Sequence, residues 1–121
     1  GTPYLFTTEA LISKIHRSSL MSAKDDSTAL TNLFSGRPAR SIVNRVMREV
    51  GPISNCAPAF PTAGIALAPL KTAAENYGNP DFSSLWAGQS VGLSKEMGSQ
   101  DLTRKLMEDG LDRLSLITKV E

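Results

Sequence analysis

The sequence predicts a mainly α-helical fold for the isolated chain. Its 121 residues are about the length of one domain, and a content of 40% apolar and 21% charged residues is typical of globular proteins. The strongest secondary-structure signal is an apolar stripe at helical spacing, made by Ile42, Val43, Val46, Met47 and Val50. Gly51 and Pro52 follow directly and predict the end of this helix.

Charge and composition exclude several classes of function. The net charge of +1 provides no field that would hold a nucleic-acid backbone. The single cysteine, Cys56, excludes an internal disulfide and a multi-cysteine metal site, and it fits a reducing compartment. The longest apolar stretch, residues 63–70, is far shorter than the ~20 residues that cross a bilayer. The first residues lack the basic region of a signal peptide. We therefore expect a soluble, cytoplasmic domain that binds neither nucleic acid nor membrane.

The first third of the chain predicts a strand, a helix and a turn. Residues 2–6 are aromatic and apolar enough for one buried strand, although no partner strand is evident nearby. Thr7 or Thr8 predicts the N-cap of a helix that extends to about residue 23. Residues 28–34 have the composition of a strand but alternate poorly, so they stay ambiguous. A turn follows, with Pro38 at the first position of the next helix.

The remaining chain predicts an ordered loop and three more helical segments. The loop covers residues 52–61, in which we expect Ile53 and Phe60 to be buried. Residues 62–77 are alanine-rich and predict a helix that Pro69 starts or kinks. Helix is also predicted in the later part of residues 82–97 and over residues 99–117, where Ser99 serves as the cap.

Two isolated residues could carry chemistry, but each has a simpler interpretation. His16 is better explained as a solvated or helix-capping side chain than as a catalytic base, because no Ser or Cys stands at a recognisable spacing from it. Cys56 is better explained as a small buried apolar residue than as a reactive thiolate.

Two short segments offer binding groups. Arg37 and Arg40 could clamp an anion at a helix N-terminus, but internal ion pairs with Asp25 and Asp26 are the favoured explanation. Residues 86–89 combine the only tryptophan with a glycine and a side-chain amide, and they could line a ligand pocket. Gly88 could equally be a helix-packing position, so both alternatives stay open.

Three separated motifs, taken in order, resemble one family. They are residues 1–10, residues 28–45 with the Gly-Arg-Pro-Ala-Arg segment at 36–40, and the Leu-Trp-Ala-Gly-Gln segment at 85–89. Together they resemble the C-terminal part of the nitronate monooxygenases, formerly called 2-nitropropane dioxygenases. The resemblance covers nearly all 121 residues, but the family's N-terminal strands, glycine-rich seventh-strand segment and catalytic histidine have no counterpart here.

The resemblance implies a fold and a cofactor. The family are FMN-dependent (β/α)8 TIM-barrel enzymes, and a barrel of this kind needs ~250 residues. Residues 1–26 would supply the last barrel strand and its helix, and residues 27–121 the helical C-terminal region. Gly1 and Thr2 would hold the FMN phosphate, and Gly88 and Gln89 would also contact the flavin. Trp86 would lie at the substrate pocket, and no residue of this chain takes the catalytic role.

The resemblance also implies a reaction. The full-length enzyme would oxidise alkyl nitronates with O2, releasing a carbonyl compound and nitrite, whereas this chain alone would be inactive. Two alternatives remain: a non-catalytic helical interaction module, and a fragment of a related flavin-dependent enoyl reductase. We expect the isolated chain to self-associate, because apolar faces on the first helix and on the 42–50 helix would lack their barrel neighbours.

Overall fold

Helices dominate the computed structural model, which describes residues 1–118, and the mainly α-helical prediction is confirmed. Residues 119–121, at the end of the predicted 27–121 region, lie outside the described residues. The described elements are, in chain order, a 3₁₀-helix at Thr2–Phe6, α1 (Lys14–Ser22), β1 (Thr28–Thr31), β2 (Ala39–Ile42), α2 (Arg45–Val50), α3 (Ala63–Asn76), a 3₁₀-helix at Val91–Leu93, and α4 (Ser99–Ile117).

The strand predicted at the start of the chain is wrong, because residues 2–6 form a 3₁₀-helix. Pro3 occupies its first turn, and the backbone N–H of Tyr4 donates to the Gly1 carbonyl at 3.0 Å. Within residues 1–118, no strand lies beside this segment, so its backbone groups are satisfied locally. The helix of the predicted 1–26 unit is present as α1, and its strand is not.

The first α-helix begins later than Thr7 or Thr8, the predicted caps. The Ser13 side chain accepts a hydrogen bond from the His16 backbone N–H at 3.1 Å, which makes Ser13 the N-cap of α1. Thr7 instead forms an isolated bridge with Met97. The extended chain before α1 is held by Arg17, whose Nη2 donates to the carbonyl oxygens of Thr7 and Ala10 at 3.0 and 3.2 Å.

A two-stranded antiparallel sheet replaces the first part of the helix predicted after Pro38. Strand β1 pairs with β2 so that Thr28 faces Ile42 and Thr31 faces Ala39. The apolar stripe at helical spacing misleads here because its residues belong to two different elements. Ile42 is buried as a residue of β2, whereas Val46 and Met47 are buried as residues of α2. Helix α2 begins only after Asn44, its N-cap, and ends before Gly51–Pro52 as predicted.

The segment predicted to become helical after Phe82 is largely extended instead. The backbone N–H of Ile42 donates to the Leu85 carbonyl at 2.9 Å, and that of Ala87 donates to the Arg40 carbonyl at 3.3 Å. Residues 85–87 therefore run alongside β2 and are hydrogen-bonded to it through the backbone. This pairing excludes a helix over residues 85–87. Only the 3₁₀-turn at residues 91–93 is helical there.

The two long helices agree with their predicted bounds to within a residue or two. Helix α3 contains Pro69, and the chain leaves it through Gly78, which has a φ of +69°. The loop before α3 packs against Gly36 (φ +89°), where an added Cβ would stand 2.3 Å from the Phe60 backbone nitrogen. Contrary to expectation, Ile53 and Phe60 are about half exposed, and Cys56 is exposed too.

The core consists of two apolar clusters that meet around β2. One contains Phe6, Leu20, Ile42, Leu85, Ala87 and Val91; the other contains Leu33, Phe34, Val46 and Met47. The face of α2 expected to be exposed is thus largely buried. Helix α4 buries Leu102 but exposes all of its other large apolar side chains, which are Leu106, Met107, Leu111, Leu114, Leu116 and Ile117.

Candidate functional site

A cavity of about 540 Å³ lies between the start of the chain, the 88–97 segment and α4. Its volume falls within the range of small-molecule sites. Four of the five predicted site residues line it: Gly1, Thr2, Gly88 and Gln89. The chain thus brings together residues that are almost ninety positions apart in sequence.

One short hydrogen bond joins the two halves of this site. The backbone N–H of Gly88 donates to Thr2 Oγ1 at 2.7 Å. Because the hydroxyl oxygen is the acceptor, its own hydrogen is left to donate elsewhere. An added Cβ at Gly88 would stand 3.2 Å from Thr2 Oγ1, which is tighter than ordinary contact. Gly88 is therefore explained by the close approach of the Thr2 side chain, not by packing within a helix.

Trp86, the fifth predicted site residue, does not line this cavity. Its ring packs edge-on against Phe34, with ring centroids 5.8 Å apart, at the border of the second core cluster. Its main chain forms an isolated bridge with Ser41 of β2. In this chain Trp86 contributes to the core and to the position of the residues that follow it.

His16 is buried, which corrects the expectation of a solvated or capping side chain. Its Nε2 lies 3.0 Å from the carbonyl oxygen of Trp86. A carbonyl can only accept, so Nε2 carries the hydrogen. Burial holds the pKa of His16 below its ordinary value, an effect that the Trp86 carbonyl opposes and Lys71 reinforces. The imidazole is therefore neutral near pH 7 and fixes the segment that leads to Gly88.

The lining of this cavity contains both charged and apolar residues. The lining includes Lys95, Lys105 and Asp109, and a carboxylate oxygen of Asp109 lies 3.0 Å from Lys105 Nζ. The apolar lining comes from Leu93, Met97, Leu102 and Leu106. The cavity thus combines hydroxyl and cationic groups, which suit an anion, with an apolar surface, which suits an aromatic or aliphatic group.

The α4 wall of the cavity is anchored by its first turns. Glu9 accepts hydrogen bonds from the Ser99 backbone N–H at 3.1 Å and from the Ser99 hydroxyl at 2.9 Å. The backbone hydrogen bond is the main reason why the pKa of Glu9 is lowered. The Tyr4 hydroxyl lies 2.8 Å from Thr103 Oγ1. Gly98, not Ser99, is the N-cap residue of α4. Glu9, from a distant part of the chain, satisfies the first backbone N–H of the helix.

Arg37 and Arg40 form neither the predicted anion clamp nor the predicted ion pairs. The guanidinium of Arg37 lies over the Phe60 ring, 4.5 Å from its centroid. Arg40 Nη1 donates to the carbonyl and the hydroxyl oxygens of Thr28, both at 3.2 Å. The helix they were expected to precede begins only at Arg45, so no helix N-terminus lies between them.

Sequence reasoning missed several polar and charged residues that line the cavity. The Ser94 hydroxyl oxygen is buried and has no hydrogen-bond partner, and Ser94 lines the cavity beside Lys95. No local pattern marks these residues, since only the fold brings them to the cavity. Within residues 1–118, no group of three His, Cys, Asp or Glu side chains could hold a metal ion. None of the helices described there is long and apolar enough to cross a membrane.

Comparison with known proteins decides the family. A family model described as nitronate monooxygenase matches residues 1–109. The chain belongs to the nitronate monooxygenase family. It is 34% identical over 110 residues to the nitronate monooxygenase of Pseudomonas aeruginosa, a match that covers 90% of this chain and 31% of that protein. A probable nitronate monooxygenase of Bacillus subtilis is 30% identical over 112 residues, covering 92% and 32% of the two chains.

One solved structure supports the same family assignment, and a second shows a shared fold. The chain resembles nitroalkane oxidase from Streptomyces ansochromogenes with a TM-score of 0.82 and 35% identity, over 96% of this chain and 33% of that one. FabK from Thermotoga maritima gives a TM-score of 0.63 at 20% identity, over 95% and 38% of the two chains, which shows a shared fold alone. The chain spans about a third of the length of the nitronate monooxygenases it matches. The similarity agrees with a C-terminal segment of a TIM-barrel enzyme.

Proposed function

We propose that this chain is the C-terminal part of an FMN-dependent nitronate monooxygenase. The full-length enzyme oxidises alkyl nitronates with O2 and releases carbonyl compounds and nitrite. Family membership supports the reaction class. The observation that carries the site assignment is the cavity around Gly1, Thr2, Gly88 and Gln89, with its direct Thr2–Gly88 hydrogen bond.

The residues of this cavity fit a phosphate-bearing aromatic cofactor. Thr2 retains a hydroxyl hydrogen for an anionic oxygen, and the absence of a side chain at Gly1 lets a ligand approach the backbone. Lys95 and Lys105 supply positive charge, and the apolar lining can accept part of a flavin ring. FMN, when bound, supplies the redox chemistry, and the protein supplies binding and orientation.

Each site residue then has a defined task. The backbone of Gly1 and Thr2, with the Thr2 hydroxyl, holds the phosphate, and Gly88 keeps Thr2 in place through its N–H. The Gln89 amide lies at the cavity and can donate or accept at the polar edge of the cofactor. None of the five predicted residues is assigned an acid–base role. The cytoplasmic location and the inactivity of the isolated chain stay predictions.

The test is flavin content. The full-length product of the gene that contains these residues is expected to purify yellow, with the absorbance spectrum of FMN, and to consume O2 with a nitronate substrate. The 121-residue chain purified alone is expected to be colourless. A full-length product that neither retains nor binds FMN would contradict the proposal and favour the non-catalytic interaction module.

A variant pair tests the site itself. Thr2→Val keeps the shape of the side chain but removes the hydroxyl that meets the Gly88 N–H. We expect this variant to bind FMN at least about tenfold more weakly, because a hydrogen bond to a charged group is lost. Thr2→Ser retains the hydroxyl and should bind nearly as the parent does. Equal affinities for all three proteins would remove Thr2 from the phosphate site.

A further inference from the structure

Helix α3 exposes an apolar stripe to solvent. Ala66, Leu70, Ala73 and Tyr77 follow one another at spacings of four, three and four residues, so they share one face of the helix. All four are exposed, and Leu70 and Tyr77 expose 47% and 90% of their surfaces. The helix packs into the core through a different face, which contains the buried Ala63. A solvated helix face normally carries charged or polar side chains, so this stripe is typical of a surface that meets a partner.

The stripe carries no charge. Of the 13 basic and 12 acidic residues of the chain, none falls between Glu49 and Lys71. Lys71 and Glu75 lie on a neighbouring face of α3 and pair with each other, with Lys71 Nζ 3.9 Å from Glu75 Oε1. A surface without charge can meet an identical surface without bringing like charges together. The charge distribution therefore favours a second copy of this chain over a partner that is recognised by ion pairs.

The order of large and small residues along the stripe is self-complementary. When two α3 helices pack antiparallel about a two-fold axis with their stripes overlaid, position 66 of one faces position 77 of the other, and position 70 faces position 73. Tyr77 then meets Ala66 of the second copy, and Leu70 meets Ala73. Each large side chain lies opposite a small one, as close packing of two facing surfaces requires. We propose that α3 packs antiparallel against α3 of a second copy and makes the protein a homodimer.

The size of the stripe predicts a dimer that dissociates on dilution. Ile65, which borders the stripe, is 72% exposed, and with Leu70 and Tyr77 it exposes on the order of 400 Å² at about 200 Å² for each large side chain. Each partner in a standard interface buries about 800 Å². The residues that the structure describes along the candidate cavity include none from α3, so the dimer contact and flavin binding are separate. This inference goes beyond the proposed function and does not rest on it.

The experiment measures the oligomeric state of the full-length product of the gene by light scattering and sedimentation over a range of concentrations. The full-length product is used because the exposed apolar side chains of α4 are expected to cause a separate association of the isolated chain. The parent is expected to show a monomer–dimer equilibrium. Ala73→Lys and Leu70→Glu are each expected to raise the dissociation constant of the dimer by at least about tenfold, because each places an unpaired charge in the contact.

Two controls test the face and the register. Ala68→Lys makes the same exchange at another exposed alanine of α3, on the far side of the helix from the stripe, and should leave the dissociation constant unchanged. Mixing the Ala73→Lys protein with the Leu70→Glu protein should restore dimers. In the antiparallel pair, the carboxylate introduced at position 70 of one copy faces the ammonium introduced at position 73 of the other. All three positions are exposed in a helix that tolerates these residues, and circular dichroism checks that each variant is folded.

Each outcome decides the question. A parent that stays monomeric at every concentration overturns the inference, and the stripe is then covered by the rest of the polypeptide or left in water. A dimer that Ala73→Lys does not weaken, or that Ala68→Lys weakens equally, has its contact elsewhere and overturns the inference too. Variants that do not pair when mixed refute the antiparallel arrangement. The flavin content of the same samples is read independently, so a colourless parent dimer would contradict the proposed function and leave this inference standing.

Discussion

Replacing His16 provides the sharpest test of how the segment before Gly88 is positioned. The imidazole Nε2–H donates to the Trp86 carbonyl, 3.0 Å away, and so joins α1 to the segment that runs alongside β2. His16→Phe fills similar space without a donor. The carbonyl then loses its partner, which costs about 1–3 kcal/mol for a buried group. We therefore expect the variant to be less stable than the parent by that amount at pH 7.5.

The same side chain predicts a pH dependence with a defined sign. Burial lowers the pKa of His16 in the folded chain below its ordinary value of 6.5. As the pH falls below 6.5, the unfolded chain binds a proton that the folded chain resists, so stability is full above 6.5 and declines below it. The slope is at most about 1.4 kcal/mol per pH unit. His16→Phe has no such contribution, so its deficit should shrink as the pH falls from 7.5 to 5.5.

Urea denaturation of the purified chain measures both effects, with fluorescence of the single tryptophan, Trp86, as a local probe. His16→Gln is the matched control, because its amide N–H can reach the carbonyl but does not titrate. It should recover much of the stability at pH 7.5 and lack the decline specific to histidine. If His16→Phe matches the parent at pH 7.5, the assigned hydrogen bond is wrong. If its deficit does not change with pH, the lowered pKa of His16 is wrong.

Three further predictions concern stability and assembly. Gly36→Ala should lower the free energy of unfolding by about 3 kcal/mol or more, since φ is +89° and the new Cβ meets the backbone of residues 58–60. Its control is Gly110→Ala, in open space on α4, which should be neutral or stabilising by up to ~1 kcal/mol in the same urea titration. Glu9→Gln should destabilise α4 at neutral pH. Because the pKa of Glu9 is lowered from 4.5, this difference should disappear as the pH falls through the folded-state value, which circular dichroism can follow. The isolated chain should self-associate through the exposed apolar side chains of α4. The double variant Leu106→Glu with Leu114→Glu should reduce this self-association. A parent chain that light scattering shows to be a monomer at high concentration would contradict the expectation.

Elements marked by local sequence signals were predictable. Helices α3 and α4 have good helix formers and clear boundaries, and Gly78 supplies the positive φ with which the first of them ends. The end of α2 before Gly51–Pro52 follows from the same kind of signal. The family was predictable too, because three motifs in order identify it without any knowledge of the contacts between them.

Elements that depend on a distant partner were not predictable. An apolar stripe at 42–50 fits a helix, but residues 39–42 form a strand because β1 and residues 85–87 offer backbone partners on both sides. Residues 2–6 look like a strand and have no such partner, so they close into a 3₁₀-helix. Burial is equally non-local: His16 is enclosed by its neighbours, whereas Cys56 and Phe60 are not.

The sequence by itself therefore determined the family, the long helices and four residues of the candidate site. The tertiary structure alone decided that these four share one cavity, that Trp86 lies outside it and that Ser94 and Lys95 belong to it. The physical reason is distance along the chain. The hydrogen bond between Gly88 and Thr2 spans 86 residues, and only the packing of the whole domain brings its two atoms within 2.7 Å.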